Sequence, residues 1–271
     1  VSIVLSTILA LRMSSGMTRF YVQYKTMEER NRLVSTLLFF ITGIAIVSGI
    51  ALSSNSSFFS QLVFESTAHA GFFVFIFITL SFELINSVAF TYLRIIEKSV
   101  FYITISMIQL VLGLSLNIYF IVILQLGVQG ILYSMVVSNG VACLILLGYT
   151  FFKVRFSFRP RMLLPLIKFG LPLIPAGMLI FILNMGDRFL MNRLADLSIV
   201  GLYALGYKFG TLLSTFVGSP FLSIWAPRRV DIYENRAEKD EIFARAFKYF
   251  TFALTFVGLA ISMLIREVLK I

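Results

Sequence analysis

The chain has 271 residues, of which 59% are hydrophobic and only 13% charged, with a mean hydropathy of +0.93. Too little polar surface remains to cover a soluble globule of this length, so the composition excludes one and points to an integral membrane protein. The net charge of +10 would suggest nucleic acid in a soluble chain. Here its distribution along the chain matters more, and no nucleic-acid partner is expected. A lone Cys143 in an apolar segment excludes an intramolecular disulfide and a cysteine-based metal site.

Hydropathy predicts eight spans, at about 1–24, 33–53, 70–93, 100–124, 129–152, 164–191, 198–225 and 246–265. From Ser99 to Phe152 no residue is charged, a run with room for two of them. Their connections alternate in charge. One set (25–32, 94–99, 153–163 and 226–248) carries 15 Lys and Arg, and the opposite set (54–69, 125–128, 192–197 and the tail) carries three. By the positive-inside rule the first set is cytoplasmic. The chain begins without Met and starts and stops in or beside hydrophobic segments, so a piece of a longer protein is expected.

The first span carries Arg12 and Arg19. A charge at membrane depth costs about 3 kcal/mol on insertion scales, so it is rarely present without a task. On a continuous helix Arg12, Ser15, Arg19 and Gln23 share one face. Guanidinium groups pair with phosphate through two parallel hydrogen bonds and stay charged at physiological pH, so two of them could form a ladder for an anion. Arg12 is too deep to reach the headgroups. For Arg19, snorkelling to the inner headgroups is the competing reading.

The external loop Ser53 to Thr67 is short and carries only Glu65, which leaves no room for an external catalytic domain. His69, the single histidine, falls at a loop–helix junction that explains it. Two further spans have polar faces: Glu83 with Asn86 and Ser87, and Gln109 with Gly113 and Asn117. Interhelical hydrogen bonding accounts for most such residues, and Glu83 is the candidate functional acid. In the sixth span, Pro172 and Pro175 bend or break the inner half. Near its outer end stand Asn184, Asp187, Arg188 and Asn192. Neighbours on a helix point about 100° apart, so Asp187 and Arg188 each need a partner on another helix. Asp187 reads either as a cation or proton site or as half of an interhelical ion pair. In the seventh span Tyr203, Tyr207, Thr211 and Ser214 form a stripe with Lys208 beside it. That stripe suits sugar rings or plain helix packing, and Lys208 could instead balance Asp187 or Glu83. Arg228 to Arg245 mixes both signs and is expected to form an amphipathic helix on the inner surface, next to the interfacial Trp225 and Pro227.

Ala10-Leu11 with Gly16 recurs as Ala204-Leu205 with Gly210, on helices six spans apart with the same orientation, as duplicated halves would give. No acidic pair of DxD type, nucleotide-binding loop or His/Cys cluster is present. An enzyme is therefore not expected, and no catalytic residue, metal or cofactor is assigned. Transport would be driven by an ion gradient or by the gradient of the substrate itself.

The run Leu166-Ile-Lys-Phe-Gly-Leu-Pro-Leu-Ile-Pro175, then Asp187-Arg188-Phe189-Leu190 and Val200-Gly-Leu-Tyr-Ala-Leu-Gly-Tyr-Lys208, resembles the polysaccharide (lipid-linked oligosaccharide) flippases. These belong to the multidrug/oligosaccharidyl-lipid/polysaccharide exporter superfamily. Gly16-Met-Thr-Arg-Phe-Tyr21, Arg94-Ile-Ile-Glu-Lys98 and Trp225-Ala-Pro227 extend the resemblance over residues 10 to 250. It implies an all-α polytopic bundle of two six-helix lobes around a cationic cavity. Residues 1–152 would be the N-terminal lobe without its first helix, 153–163 a basic cytoplasmic linker, and 164–271 the start of the C-terminal lobe. It also implies a polyprenyl-pyrophosphate-linked glycan as cargo, moved from the inner to the outer leaflet of a bacterial cytoplasmic membrane by alternating access. Arg19, Asp187 and Arg188 match family-like positions; Arg12 does not, and rests on the physical argument alone.

The expected substrate-binding residues for pyrophosphate and sugar are Arg12, Arg19, Arg188, Lys208 and Tyr207, with the polyprenyl tail left in membrane lipid. Asp187 and Glu83 are the candidates for coupling to H⁺ or Na⁺. The alternative is an ion-coupled multidrug or cation antiporter of the same superfamily, whose cavity should be acidic, whereas these helices carry more basic than acidic groups.

Overall fold

The computed structural model describes residues 2–154, 157–194, 196–222 and 238–268, together with Trp225 and Ile232. In chain order the helices are α1 (Ser2–Leu9), α2 (Met13–Gln23), α3 (Met27–Ser54), α4 (Ser56–Phe64), α5 (Ala70–Ile95), α6 (Ser99–Ile118), α7 (Val128–Lys153), α8 (Leu163–Gly170), α9 (Leu173–Leu194), α10 (Leu197–Leu213) and α11 (Lys239–Val268). No strand occurs among the described residues. The chain is an all-α polytopic membrane protein. Five helices, α3, α5, α6, α7 and α11, are long and apolar enough to cross a membrane. A sixth crossing is the pair α8–α9, bent by 46° where Leu171 and Pro172 interrupt it.

Two predicted spans differ from this picture for local reasons. The first is broken, because Leu11 and Arg12 both take left-handed backbone angles (φ 46° and 50°) between α1 and α2. The seventh is interrupted: α10 passes into a π turn over Ser214–Gly218, after which residues 219–222 are again helical. Of the predicted inner-surface helix, residues 226–231 and 233–237 lie outside the described residues. Its end, from Lys239, is the first part of α11, where Arg245 pairs with Glu241 one turn earlier at 2.7 Å.

The chain divides into two compact units, residues 1–184 and 185–271. In the first, α3, α5 and α7 form the centre. Leu33, Leu37, Leu38 and Ile41 of α3 pack with Leu84, Val88 and Leu93 of α5, Leu146 of α7, and Met13 and Met17 of α2. Helix α3 begins at a capping box, in which Thr26 accepts from the Glu29 backbone N–H at 3.3 Å and its hydroxyl donates to the Glu29 carboxylate at 2.9 Å. Uncharged polar groups tie these helices together, as helices in lipid require. Ser81 donates to the Ala45 carbonyl (2.9 Å), Asn86 to the Asn139 carbonyl (3.2 Å), Gln109 to the Asn139 side chain (2.9 Å) and Ser134 to the Asn117 side chain (2.7 Å). In the second unit α10 and its π turn pack against α11. Phe221 stacks on Phe250 with ring centroids 4.2 Å apart.

The two interrupted helices meet at their interruptions. A Cβ on Gly170, the last residue of α8, would overlap the carbonyl oxygen of Leu11. One turn further into α2, Leu166 lies 3.5 Å from the place a Cβ on Gly16 would take. Gly170→Ala should therefore lower stability by about 1–3 kcal/mol. Gly148→Ala, on α7 with open space around it, should be neutral or stabilising by up to about 1 kcal/mol. Thermal unfolding of both variants in detergent reads the difference, and equal midpoints would mean that the two interruptions do not touch.

Candidate functional site

Arg12 precedes the first turn of α2, so its side chain leaves the chain where the helix is unwound rather than from a continuous helical face. Its guanidinium lies over α9 at Gly177, where a Cβ would sit 3.1 Å from the guanidinium carbon and 3.0 Å from the Thr7 methyl. A side chain there would have to displace the guanidinium. Nε of Arg12 is buried and has no hydrogen-bond partner.

Arg12 and Glu83 line one cavity of about 340 Å³. Hydroxyls supply its remaining polar wall: Ser6 and Thr7 from α1, Ser14 and Ser15 from α2, and Ser87 from α5. Ser14 also donates to the Ser87 carbonyl at 3.4 Å, which joins α2 to α5 along one edge. The two ion pairs found among the described residues are Arg32–Glu28 and Arg245–Glu241, so Arg12 and Glu83 share the space without pairing. A cavity with one guanidinium, one carboxyl and several hydroxyls can hold an oxyanion against Arg12 while Glu83 accepts a proton or a cation.

Arg19 is exposed and stands apart from this cavity. Its guanidinium lies 4.7 Å from the centroid of the Phe169 ring on α8 and 6.0 Å from that of Phe20. The interruption before α2 removes the shared face that a straight helix would give Arg12 and Arg19, and the cavity includes neither Arg19 nor Gln23.

The second unit carries its own cluster. Asp187 accepts from the hydroxyl of Tyr203 on α10 and from the Arg188 backbone N–H at 2.8 Å. Arg188 turns the other way: its guanidinium sits 4.7 Å from the centroid of the Tyr207 ring and donates to the Met185 sulfur at 3.2 Å, while its Nε is buried with no hydrogen bond. Each of the two neighbouring charges thus finds its own tyrosine on α10. Lys208 is exposed, beside rather than within this cluster. The side chain of Asn192 lies outside the described residues.

Sequence reasoning did not single out Ser6, Thr7, Ser14 or Gly177 as site residues. The hydroxyls carried a usable signal, because Ser6-Thr7 and Ser14-Ser15 bracket an intramembrane arginine. Gly177 carried none, since one glycine in an apolar helix does not announce what crosses it.

The sequence profile of a family described as polysaccharide biosynthesis protein matches residues 1–271. No curated protein and no solved structure matches the chain. With a polytopic helical fold and the profile covering every residue, the chain belongs to the polysaccharide biosynthesis protein family, with a role in polysaccharide synthesis or export.

Proposed function

We propose that the protein moves a polyprenyl-pyrophosphate-linked oligosaccharide from the inner to the outer leaflet of a bacterial cytoplasmic membrane by alternating access, as a flippase and not as an enzyme. The observation that carries this reading is Arg12, a permanent cation held at an interrupted helix in a hydroxyl-lined cavity. Interrupted backbone at membrane depth is tolerated where it lines a cavity, and transporters put substrate sites there. The pyrophosphate would bind Arg12, while Arg19 would receive the headgroup nearer the cytoplasm; in the second unit Arg188, Lys208 and Tyr207 are the residues offered to phosphate or sugar. The same reading divides the chain into lobes at 1–152 and 164–271, joined by the basic residues 153–163. Arg12 over Gly177 would then be a contact between lobes, one that closure makes and opening breaks.

Glu83 supplies the coupling. A bound phosphate repels an ionised carboxylate in the same cavity, so anion occupancy favours Glu83 neutralised by H⁺ or Na⁺. In the second unit Asp187 is the other coupling candidate. The same carboxyl is also what favours the second reading, a cation antiporter: Glu83 faces the cavity and could hold a cationic drug.

Proteoliposomes of the full-length protein, carrying a fluorescent pyrophosphate-linked oligosaccharide lipid, test the first reading. Arg12→Ala should slow flipping by roughly ten- to hundredfold, as expected for one lost charge-assisted hydrogen bond, with the unfolding midpoint unchanged. Near-normal flipping by the variant would make Arg12 structural. Export of a cationic dye without movement of the lipid would establish the antiporter instead. Glu83→Gln should leave flipping without an ion gradient intact and remove its stimulation by an imposed pH or Na⁺ gradient. Retained stimulation would assign coupling elsewhere, with Asp187→Asn the next variant to measure.

A further inference from the structure

Two further cavities lie in the first unit, neither of them lined by Arg12. One, of about 650 Å³, is lined by Arg32, Arg159, Arg161, Glu29 and Phe158, on the side that the charge distribution makes cytoplasmic. The other, of about 640 Å³, is an almost wholly apolar groove along α3, lined by Phe39, Phe40, Gly43, Ile44, Val47 and Phe158. Phe158 belongs to both.

The position of Phe158 is fixed by the residues on either side of it. The Ser157 N–H donates to the Ser35 hydroxyl at 3.0 Å and the Arg159 N–H to the Thr36 hydroxyl at 3.1 Å. Both hydroxyls belong to fully buried residues of α3. The Phe158 ring then meets Phe39 edge-on at 6.3 Å. So the segment entering α8 is clamped to α3 at the residue that lines both the basic cavity and the groove.

The charges in the basic cavity are unequal. Arg32 is held by Glu28. Arg159 and Arg161 are exposed and form no ion pair among the described residues, and the cavity holds the single carboxylate of Glu29. The groove has a definite depth as well. From Phe39 to Ser48 it follows α3 for nine residues, about 14 Å at 1.5 Å per residue. Half the hydrocarbon thickness of a bilayer is about 15 Å. A cationic head site that shares Phe158 with an apolar groove one leaflet deep matches the two parts of a lipid of that leaflet. Basic pockets on the cytoplasmic side of helix bundles recognise anionic headgroups in this way.

We propose that this composite site holds an anionic phospholipid of the inner leaflet, its phosphate against Arg159 and Arg161 and one acyl chain in the α3 groove past Phe158. The bound lipid wedges the linker and α3 together, and its site is independent of whatever occupies the Arg12 cavity.

The test is a lipid titration of purified, delipidated full-length protein, read by native mass spectrometry, with phosphatidylglycerol and phosphatidylcholine of identical chains. Wild type should retain phosphatidylglycerol preferentially. The double variant Arg159→Gln, Arg161→Gln keeps both backbone hydrogen bonds of the clamp and should lose about thirtyfold in apparent affinity for phosphatidylglycerol, falling to the level of phosphatidylcholine. Gly43→Phe fills the groove from a position with open space around it, and should weaken both lipids while leaving the unliganded unfolding midpoint unchanged. Equal retention of the two lipids by wild type, or undiminished phosphatidylglycerol in either variant, would overturn the proposal. So would displacement of phosphatidylglycerol by a polyprenyl phosphate at equal concentration, which would assign the site to the transported lipid.

Discussion

The structure depends on one constraint: in lipid, every backbone polar group must find its partner within the protein or in an enclosed wet cavity. The chain violates the simplest way of meeting it twice, at Leu11–Arg12 and at Leu171–Pro172. Both violations sit in one place. Gly170 brings the end of α8 onto the Leu11 carbonyl, and Gly16 admits Leu166. The unwound turn at Arg12 is thereby covered by α8 on one side and open to a hydroxyl-lined cavity on the other. A straight first helix would have no such need, and would have no place to put Arg12.

Around this pair of breaks the polar side chains divide by charge. Several amides and hydroxyls bond across α3, α5, α6 and α7: Asn86 and Gln109 both converge on Asn139, and Ser81 reaches Ala45. That makes a scaffold, each bond modest in lipid but directional. The ionisable residues of the same unit at depth, Arg12 and Glu83, have no such partners. Neutral polar groups tie the bundle together, and on the proposed reading the charged ones are available to a ligand, so removing one of them should separate function from folding.

The long apolar helices were legible in the sequence because their signal is additive over about twenty residues. The uncharged run from Ser99 to Phe152 resolves into α6 and α7, and the charge alternation marks the turns between them. Helix ends were less legible. Helix α3 starts at Met27, inside what hydropathy reads as a loop, because the Thr26–Glu29 capping box works as well in water as at a membrane surface. The break at Leu11–Arg12 was invisible, since neither residue is Gly or Pro and left-handed angles at such positions are imposed by tertiary contact. That single omission accounts for the misplaced partnership of Arg12 with Arg19. The proline-marked break in the sixth span was read correctly, because there the sequence itself removes the hydrogen bond. Asp187 and Arg188 show the intermediate case: helical geometry dictates that they diverge, but only the fold names Tyr203 and Tyr207 as their separate partners.

The coexistence of Arg12 and Glu83 in one cavity bears on how such a site could cycle. Each charge alone costs about 3 kcal/mol at membrane depth, and the cheapest arrangement would be direct contact. The structure instead leaves them unpaired among the described residues, with hydroxyls sharing the cavity wall and Gly177 leaving room for the guanidinium beside α9. A cation that is not quenched by its own protein retains its affinity for an anion. A carboxyl across the cavity gives that affinity a second state, since neutralising it removes the repulsion that an arriving phosphate would feel. On the proposed reading, one proton or one cation at Glu83 would set affinity and release, and the helix break beside Arg12 is where a change in that state would first be felt as motion.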